Sequence, residues 1–301
     1  MFELKNEKIA IPVVLFAGLL WSFGPLVVRH MNEPSLVPWQ YIFARGITIF
    51  AVLNLYLYFE EGKSFYKNYL KAGVSGIVGG CGLGIAMITF IYSITNTSAA
   101  ITLLCLAAMP FFTALLGFLF LKEKISLNVW IAIFIATIGL IIIALGNAEK
   151  NSLLGLIFGM ISSIGFSVFS VTLRWRKETP KFTTVALAGI FCVIVSLVFI
   201  LSNDLKIFSS SYNGSLFSLH GVIVCMGLIL YSIGSKAIPA AELTLLSLTE
   251  VIGGIFWVWL PMFGINEIPS TNTIIGGFFL FMSIIYYSLT IKTNRRFIAL
   301  N

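Results

Sequence analysis

The sequence predicts an all-α integral membrane protein with ten transmembrane helices, arranged as two inverted five-helix repeats. Three observations carry that prediction. First, the 301 residues are 58% hydrophobic and only 10% charged, with a mean hydropathy of +1.00. Soluble domains carry roughly 25% charged residues, and a chain this apolar cannot hide its surface in one water-facing globule. Second, apolar runs of about 20 residues, enough to cross a hydrocarbon core, recur between short polar breaks. Third, one stretch occurs twice. Tyr92-Ser93-Ile94, Ala99-Ala100, Thr102-Leu103-Leu104 and the Glu123 to Ser126 turn reappear as Tyr231-Ser232-Ile233, Ala240-Ala241, Thr244-Leu245-Leu246 and the Glu267 to Ser270 turn. Matching positions lie 139 residues apart at the start and 144 at the end. The repeat divides the chain into units 1–148 and 149–301.

The spans read in order as 9–28, 36–59, 70–94, 98–121, 127–146, 153–173, 182–202, 216–235, 239–262 and 272–291. The first is long enough to cross a bilayer and has no small-x-small cleavage site behind it, so it reads as a helix that stays. Pro25 lies in it, Pro110 in the fourth and Pro261 in the ninth, where each is placed to break or kink its helix. The third carries Gly79, Gly80, Gly82 and Gly84, which let helix backbones approach closely or bend. Only Thr95-Asn96-Thr97 separates the third from the fourth, and only Lys236-Ala237-Ile238 the eighth from the ninth. No run alternates with period two, which argues against barrel strands.

The basic residues orient these spans. Of the 19 Lys and Arg, fifteen fall on one side, at both ends of the chain and around Lys63, Lys122, Arg174 and Lys236. Arg29, Lys150 and Lys206 fall on the other side, and Arg45 lies within a span. This positive-inside bias places both termini in the cytoplasm. The net charge of +7 therefore reads as topology signals and lipid-headgroup contacts, not nucleic-acid binding. Five spans per half is an odd number, so the second half inserts upside down relative to the first. Cys81, Cys105, Cys192 and Cys225 all sit in apolar runs with no metal or disulfide spacing, so they read as small buried residues.

Several motifs are similar to those of the EamA-type transporters of the drug/metabolite transporter superfamily. Leu19-Leu20-Trp21-Ser22-Phe23-Gly24-Pro25 followed by Arg29 resembles their first-helix signature. Phe43-Ala44-Arg45-Gly46 resembles their second. Ala99-Ala100 through Met109-Pro110-Phe111 to Leu121-Lys122-Glu123 resembles their fourth, and residues 240–267 repeat it. The family's Glu-Pro pair is divided here: the first half keeps the proline in Met109-Pro110, the second keeps the acid in Glu250-Val251. The resemblance implies a basket of ten helices around a central cavity, with the fifth and tenth at one edge. It also implies alternating access without ATP hydrolysis, and a second helix that is peripheral. No Walker motif is present.

Ionisable groups inside the spans are the sharpest functional pointers, because each costs a few kcal/mol or more at mid-bilayer unless paired or wet. Arg45 is the tenth residue of its span and Glu250 the twelfth of its own. Glu250 suits a cationic substrate group or a proton. Arg45 suits a folding or gating contact, or else a substrate carboxylate. Glu242, near the start of the ninth span, reads as a helix-end acid favoured by the macrodipole. It lies about 80° around the helix from Glu250. Glu123 and Glu267 read as helix-end or turn contacts. Trp21, Ser22, Tyr92, Thr102, Ser163, Ser167, Tyr231, Thr244, Ser247 and Trp257 complete the candidate substrate-binding set. They supply the aromatic and small polar groups that grip a ligand lightly. Each of these positions also suits plain interhelical packing.

The reading that follows is a secondary transporter, and specifically an exporter, of a small organic metabolite such as an amino acid or related amphiphile. Proton coupling is open at this point. The expected partners are the small-molecule substrate and the lipid bilayer, in a monomer or weak homodimer of a bacterial inner membrane. No cofactor and no metal is expected. The alternatives are a membrane-embedded enzyme and a non-transporting sensor or structural protein. An enzyme would need a nucleophile–base pair or metal ligands within the spans, yet there are only two histidines, His30 and His220, and one aspartate, Asp204.

Overall fold

Without water in the bilayer core, a spanning segment must satisfy its backbone internally, and helices do so. The structure, a computed structural model, describes residues 6–146, 153–176, 178–265 and 267–298. Among the described residues there is no strand. Among those residues nine helices are long and apolar enough to span: α1 (Glu7–His30), α2 (Pro38–Glu61), α3 (Gly73–Asn96), α4 (Ala99–Leu121), α6 (Leu153–Trp175), α7 (Lys181–Ser202), α8 (Ser211–Gly234), α9 (Ala240–Trp259) and α10 (Thr271–Ile298). Between α4 and α6 runs α5 (Leu127–Gly146), with a shorter described apolar stretch. The expected boundary between residues 148 and 149 falls outside the described residues, as do Lys5, Lys150, Lys177 and Asn266.

Local sequence starts these helices. Side-chain oxygens of Asn6, Ser98 and Ser210 accept backbone N–H bonds at the heads of α1, α4 and α8. Ser126 and Ser270, matching positions of the doubled stretch, do the same for α5 and α10. Each cap satisfies one of the donors that a helix start leaves open.

Packing then sets the neighbours. α3 lies along α6 and α7, α1 along α8 and α9, and α2 along α7 and α8. α4 packs on α6 and α9, and α5 and α10 pack on each other. Small residues permit the closest crossings, since van der Waals contact is the main attraction between helices in lipid. At the α2–α7 crossing, a Cβ on Gly46 would come 2.9 Å from the Gly189 carbonyl oxygen, and a Cβ on Gly189 would meet the Gly46 oxygen at 2.9 Å. Gly46→Val should therefore force the two helices apart. The expected cost is about 1–3 kcal/mol, the range for overpacked cores, read as a lower melting temperature and lower folded yield in detergent. An unchanged melting temperature would mean that the crossing is loose. The α3 glycines serve the same purpose: Gly79 faces Thr172 and Thr184, and Gly82 faces the Gly165 carbonyl.

Three helices are broken mid-course. α1 breaks at Ser22-Phe23, α4 at Ala107-Ala108 and α9 at Ser247-Leu248. Pro25 and Pro110 open the resumed segments Gly24–His30 and Met109–Leu116, where a missing N–H does no harm. The resumed segment of α9, Thr249–Trp259, has Glu250 in its first turn instead. Pro261 lies past α9 and opens a short 3₁₀ turn. Serine hydroxyls satisfy carbonyls at two breaks: Ser22 donates to the Leu19 oxygen at 2.6 Å and Ser247 to the Thr244 oxygen at 2.8 Å.

Candidate functional site

The broken segments meet the intact helices around a central cavity of about 70 Å³. Its wall draws on α1 (Trp21), α2 (Arg45), α3 (Leu83, Ala86, Met87, Phe90), α4 (Leu106, Met109), α6 (Ser162, Phe166), α8 (His220, Val224, Leu228) and α9 (Glu250). Ligand pockets generally measure about 300–1,000 Å³. This cavity therefore has room for water but not for a molecule of metabolite size.

The two mid-span charges singled out in the sequence both reach this cavity. Arg45 is 3% exposed and Glu250 8%. α2 is one of the less buried spans, yet it turns Arg45 inward. Arg45 Nη2 donates to the Met87 carbonyl at 3.0 Å. Its guanidinium lies 5.6 Å from the centre of the Tyr41 ring, and its Nε has no partner. Among the described residues no ion pair joins Arg45 to Glu250, although the Arg45 charge acts on the Glu250 carboxylate through space. Glu250 stands in the first turn of its half-helix, where the positive end of the dipole favours an anion. The cavity thus offers a cationic fork and a carboxylate on separate helices, with apolar surface between them.

His220 stands beside them, and its Nδ1 is hydrogen-bonded to the Tyr41 hydroxyl. Trp21 Nε1 donates to the Val224 carbonyl at 3.2 Å. The Trp21 ring meets Phe166 and Tyr231, each at a centroid distance of 5.4 Å.

The other predicted residues lie outside the cavity wall. Ser22 accepts a bond from Trp257 Nε1 at 2.8 Å, and Tyr92 packs on Trp39 and Phe158. Thr102 and Ser93 hydroxyls share a bond of 2.9 Å. Ser167 donates to the carbonyl of Met109, a wall residue, at 3.1 Å. The Ser163 hydroxyl is buried without a partner. Tyr231 bonds Ser170 at 2.7 Å, and Thr244 donates to the Ala241 carbonyl at 3.0 Å. Glu242 stands in the first turn of α9, and its carboxylate accepts the Tyr287 hydroxyl of α10. Glu123 and Glu267 pair with Arg174 and Arg29.

The sequence reading passed over His220, Tyr41, Ser162 and Phe166 as site residues. His220 could have been found, because the argument from ionisable groups at mid-bilayer applies to it as well. Tyr41 lies four residues before Arg45, one turn away on the same helix face.

Residues 8–145 match the model of the EamA-like transporter family. That stretch, a little under half of the chain, is similar to the EamA-like transporters. A protein named as an uncharacterized transporter of Helicobacter pylori strain J99 is 29% identical over 183 residues, 60% of this chain and 60% of that protein. Its counterpart in strain 26695 is 28% identical over the same span. The chain thus covers about 60% of the length of these two relatives. The pseudopaline exporter CntI of Pseudomonas aeruginosa strain PAO1 is 24% identical over 224 residues, 73% of this chain and 75% of the exporter. The whole fold is similar to that of a protein solved by crystallography, with a TM-score of 0.70 at 16% identity, covering 96% of this chain and 99% of the other. At that identity the likeness concerns fold alone. The nine span-length apolar helices among the described residues make this a multi-pass membrane protein, and its sequence is similar to EamA-like and other named transporters.

Proposed function

We propose that this protein is a secondary exporter of a small organic metabolite, an amino acid or a related amphiphile. In this reading it works by alternating access between two inverted five-helix halves. The observation that carries the reading is the meeting of Arg45 and Glu250 at one cavity without an ion pair between them. Two opposite charges left unpaired at a site this buried are costly. A solute bearing both a carboxylate and an ammonium group would satisfy each of them. Glu250 also suits a coupling proton, since a mid-membrane carboxylate that faces a cavity can exchange one.

The packing supports the inverted halves. α3 on α6 corresponds to α8 on α1, while α2, α4 and α5 each pack on their own counterparts α7, α9 and α10. A two-fold axis relating the halves gives that pattern, and an odd number of spans per half would put the axis in the membrane plane. Export is supported by the similarity to a named exporter. The charge bias supports a bacterial inner membrane with both termini cytoplasmic. Tags at either terminus should then resist protease in intact cells, and digestion there would reverse the orientation.

The test of function is a thermal-stability screen of detergent-purified protein against amino acids, organic acids, amines and nucleosides. A ligand that binds only the folded state raises its stability by mass action. Amino acids or their derivatives should stabilise, and simple amines or monocarboxylates should do so less. Stabilisation by nucleosides alone would overturn the substrate class.

A further inference from the structure

The same three-part contact occurs at both ends of the bundle. Arg29, near the end of α1, donates from Nε to Glu267 Oε1 at 2.5 Å. Its Nη1 and Nη2 donate to the carbonyls of Ile94 and Thr97 at 3.2 Å each, at the end of α3. Arg174, near the end of α6, donates from Nε to Glu123 Oε1 at 2.7 Å. Its Nη1 donates to the carbonyls of Ser235 and Ile238 at 3.0 and 2.9 Å, just past α8. The two glutamates are matching positions of the doubled stretch, and α3 and α8 are matching helices. Each arginine thus ties the end of its own helix to a helix terminus in its own half and to a glutamate in the other half.

The chemistry suits a reversible latch. A helix end leaves carbonyls open and carries negative partial charge. The rigid guanidinium fork can serve two such carbonyls and a carboxylate together. All four charged side chains keep partial exposure, between 20% and 35%. Water can therefore replace each partner when the contact opens, which it cannot do for a deeply buried pair.

The position suits a gate. Five crossings separate Arg29 from Arg174, so the two clasps face opposite sides of the membrane. The cavity lies between them. Trp21 and Phe166, which touch one another across the cavity wall, each stand eight residues before their arginine. That is roughly 12 Å of helix. Both clasps are closed in this structure, and the cavity is too small for a solute.

We infer that Arg29–Glu267 is the outer gate and Arg174–Glu123 the inner gate, and that opening either face breaks its own clasp while the other holds. The inference rests on the alternating-access reading and on the orientation proposed above.

The test reads access to the cavity and needs no substrate. In a background with the four native cysteines replaced by alanine, Val224→Cys places a thiol on the cavity wall. A membrane-impermeant sulfonated maleimide is applied to intact cells and, separately, to inside-out vesicles. Arg29→Gln should raise the labelling rate from outside by about fivefold or more, the lower end of typical coupling between sites. Arg174→Gln should lower it from outside and raise it from the cytoplasmic side. Where an arginine variant fails to accumulate, Glu267→Gln or Glu123→Gln replaces it. Loss of thermal stability with no change in the inside-to-outside ratio would make the clasps structural staples and overturn the gates alone. Opposite signs in both variants would support the gates and reverse the orientation. A thiol unreachable from either side in every variant would overturn both the gates and the alternating-access reading beneath them.

Discussion

Glu250→Gln should abolish concentrative flux and leave folded yield near that of the wild type. Glutamine keeps the shape and one acceptor oxygen of glutamate, so what disappears is the charge and the exchangeable proton. Among the described residues the Glu250 carboxylate has no hydrogen-bond or ion-pair partner. Neutralising it therefore breaks no contact that the fold depends on. It does leave Arg45 as the lone charge on the cavity wall. Removing one partner of a buried charge contact typically costs about 2–5 kcal/mol. At 1.4 kcal/mol per tenfold, that is roughly 30-fold or more in affinity for a solute whose ammonium group meets Glu250. The measurement is the thermal shift given by the best-stabilising amino acid, followed by its initial flux in vesicles. A shift and flux equal to those of the wild type would remove Glu250 from the site. A collapse of folded yield would make it a structural residue.

Arg45→Lys should fold yet bind a carboxylate-bearing solute about tenfold or more weakly, the order expected for losing a hydrogen bond to a charged group. Lysine keeps the positive charge, so the electrostatic balance with Glu250 survives. It loses the planar fork, and with it the bond to the Met87 carbonyl and the placement over Tyr41. A lysine ammonium on a flexible stem does not reproduce the donors of the guanidinium fork. Titration of the stabilising ligand against wild type and variant reads the change directly. Equal affinity with lower yield would assign Arg45 to folding. Weaker affinity at normal yield would place it on the substrate.

The spans were legible in the sequence because lipid offers backbone groups no partner. Each segment must close its own hydrogen bonds within about 20 apolar residues, and that leaves a mark no neighbour can erase. Arg45 and Glu250 were legible as well, since a charge at mid-bilayer is costly wherever its neighbours lie.

The facing of the small polar residues was not legible. Ser162 lines the cavity, while its neighbour Ser163 is buried away from it with no partner. One residue turns a side chain by about 100° around a helix, and only the packing of α3, α4 and α8 around α6 decides which direction is inward. Thr102, Thr244 and Ser247 likewise spend their hydroxyls on nearby hydrogen bonds, an option open to every serine or threonine in a helix. The clasps were hidden most deeply. In the sequence Arg29 and Arg174 serve to orient the chain, and Arg29 closes the first-helix signature, but neither carries a sign of its partner. Arg29 finds Glu267 across 238 residues of sequence, and charge spacing along a chain carries no record of which helix ends fold against each other. Hydropathy determined that this protein crosses a membrane many times, and the doubled stretch is written in the sequence itself. The tertiary structure decided which charges meet, because contacts between helices depend on the three-dimensional meeting of surfaces that the linear order keeps apart.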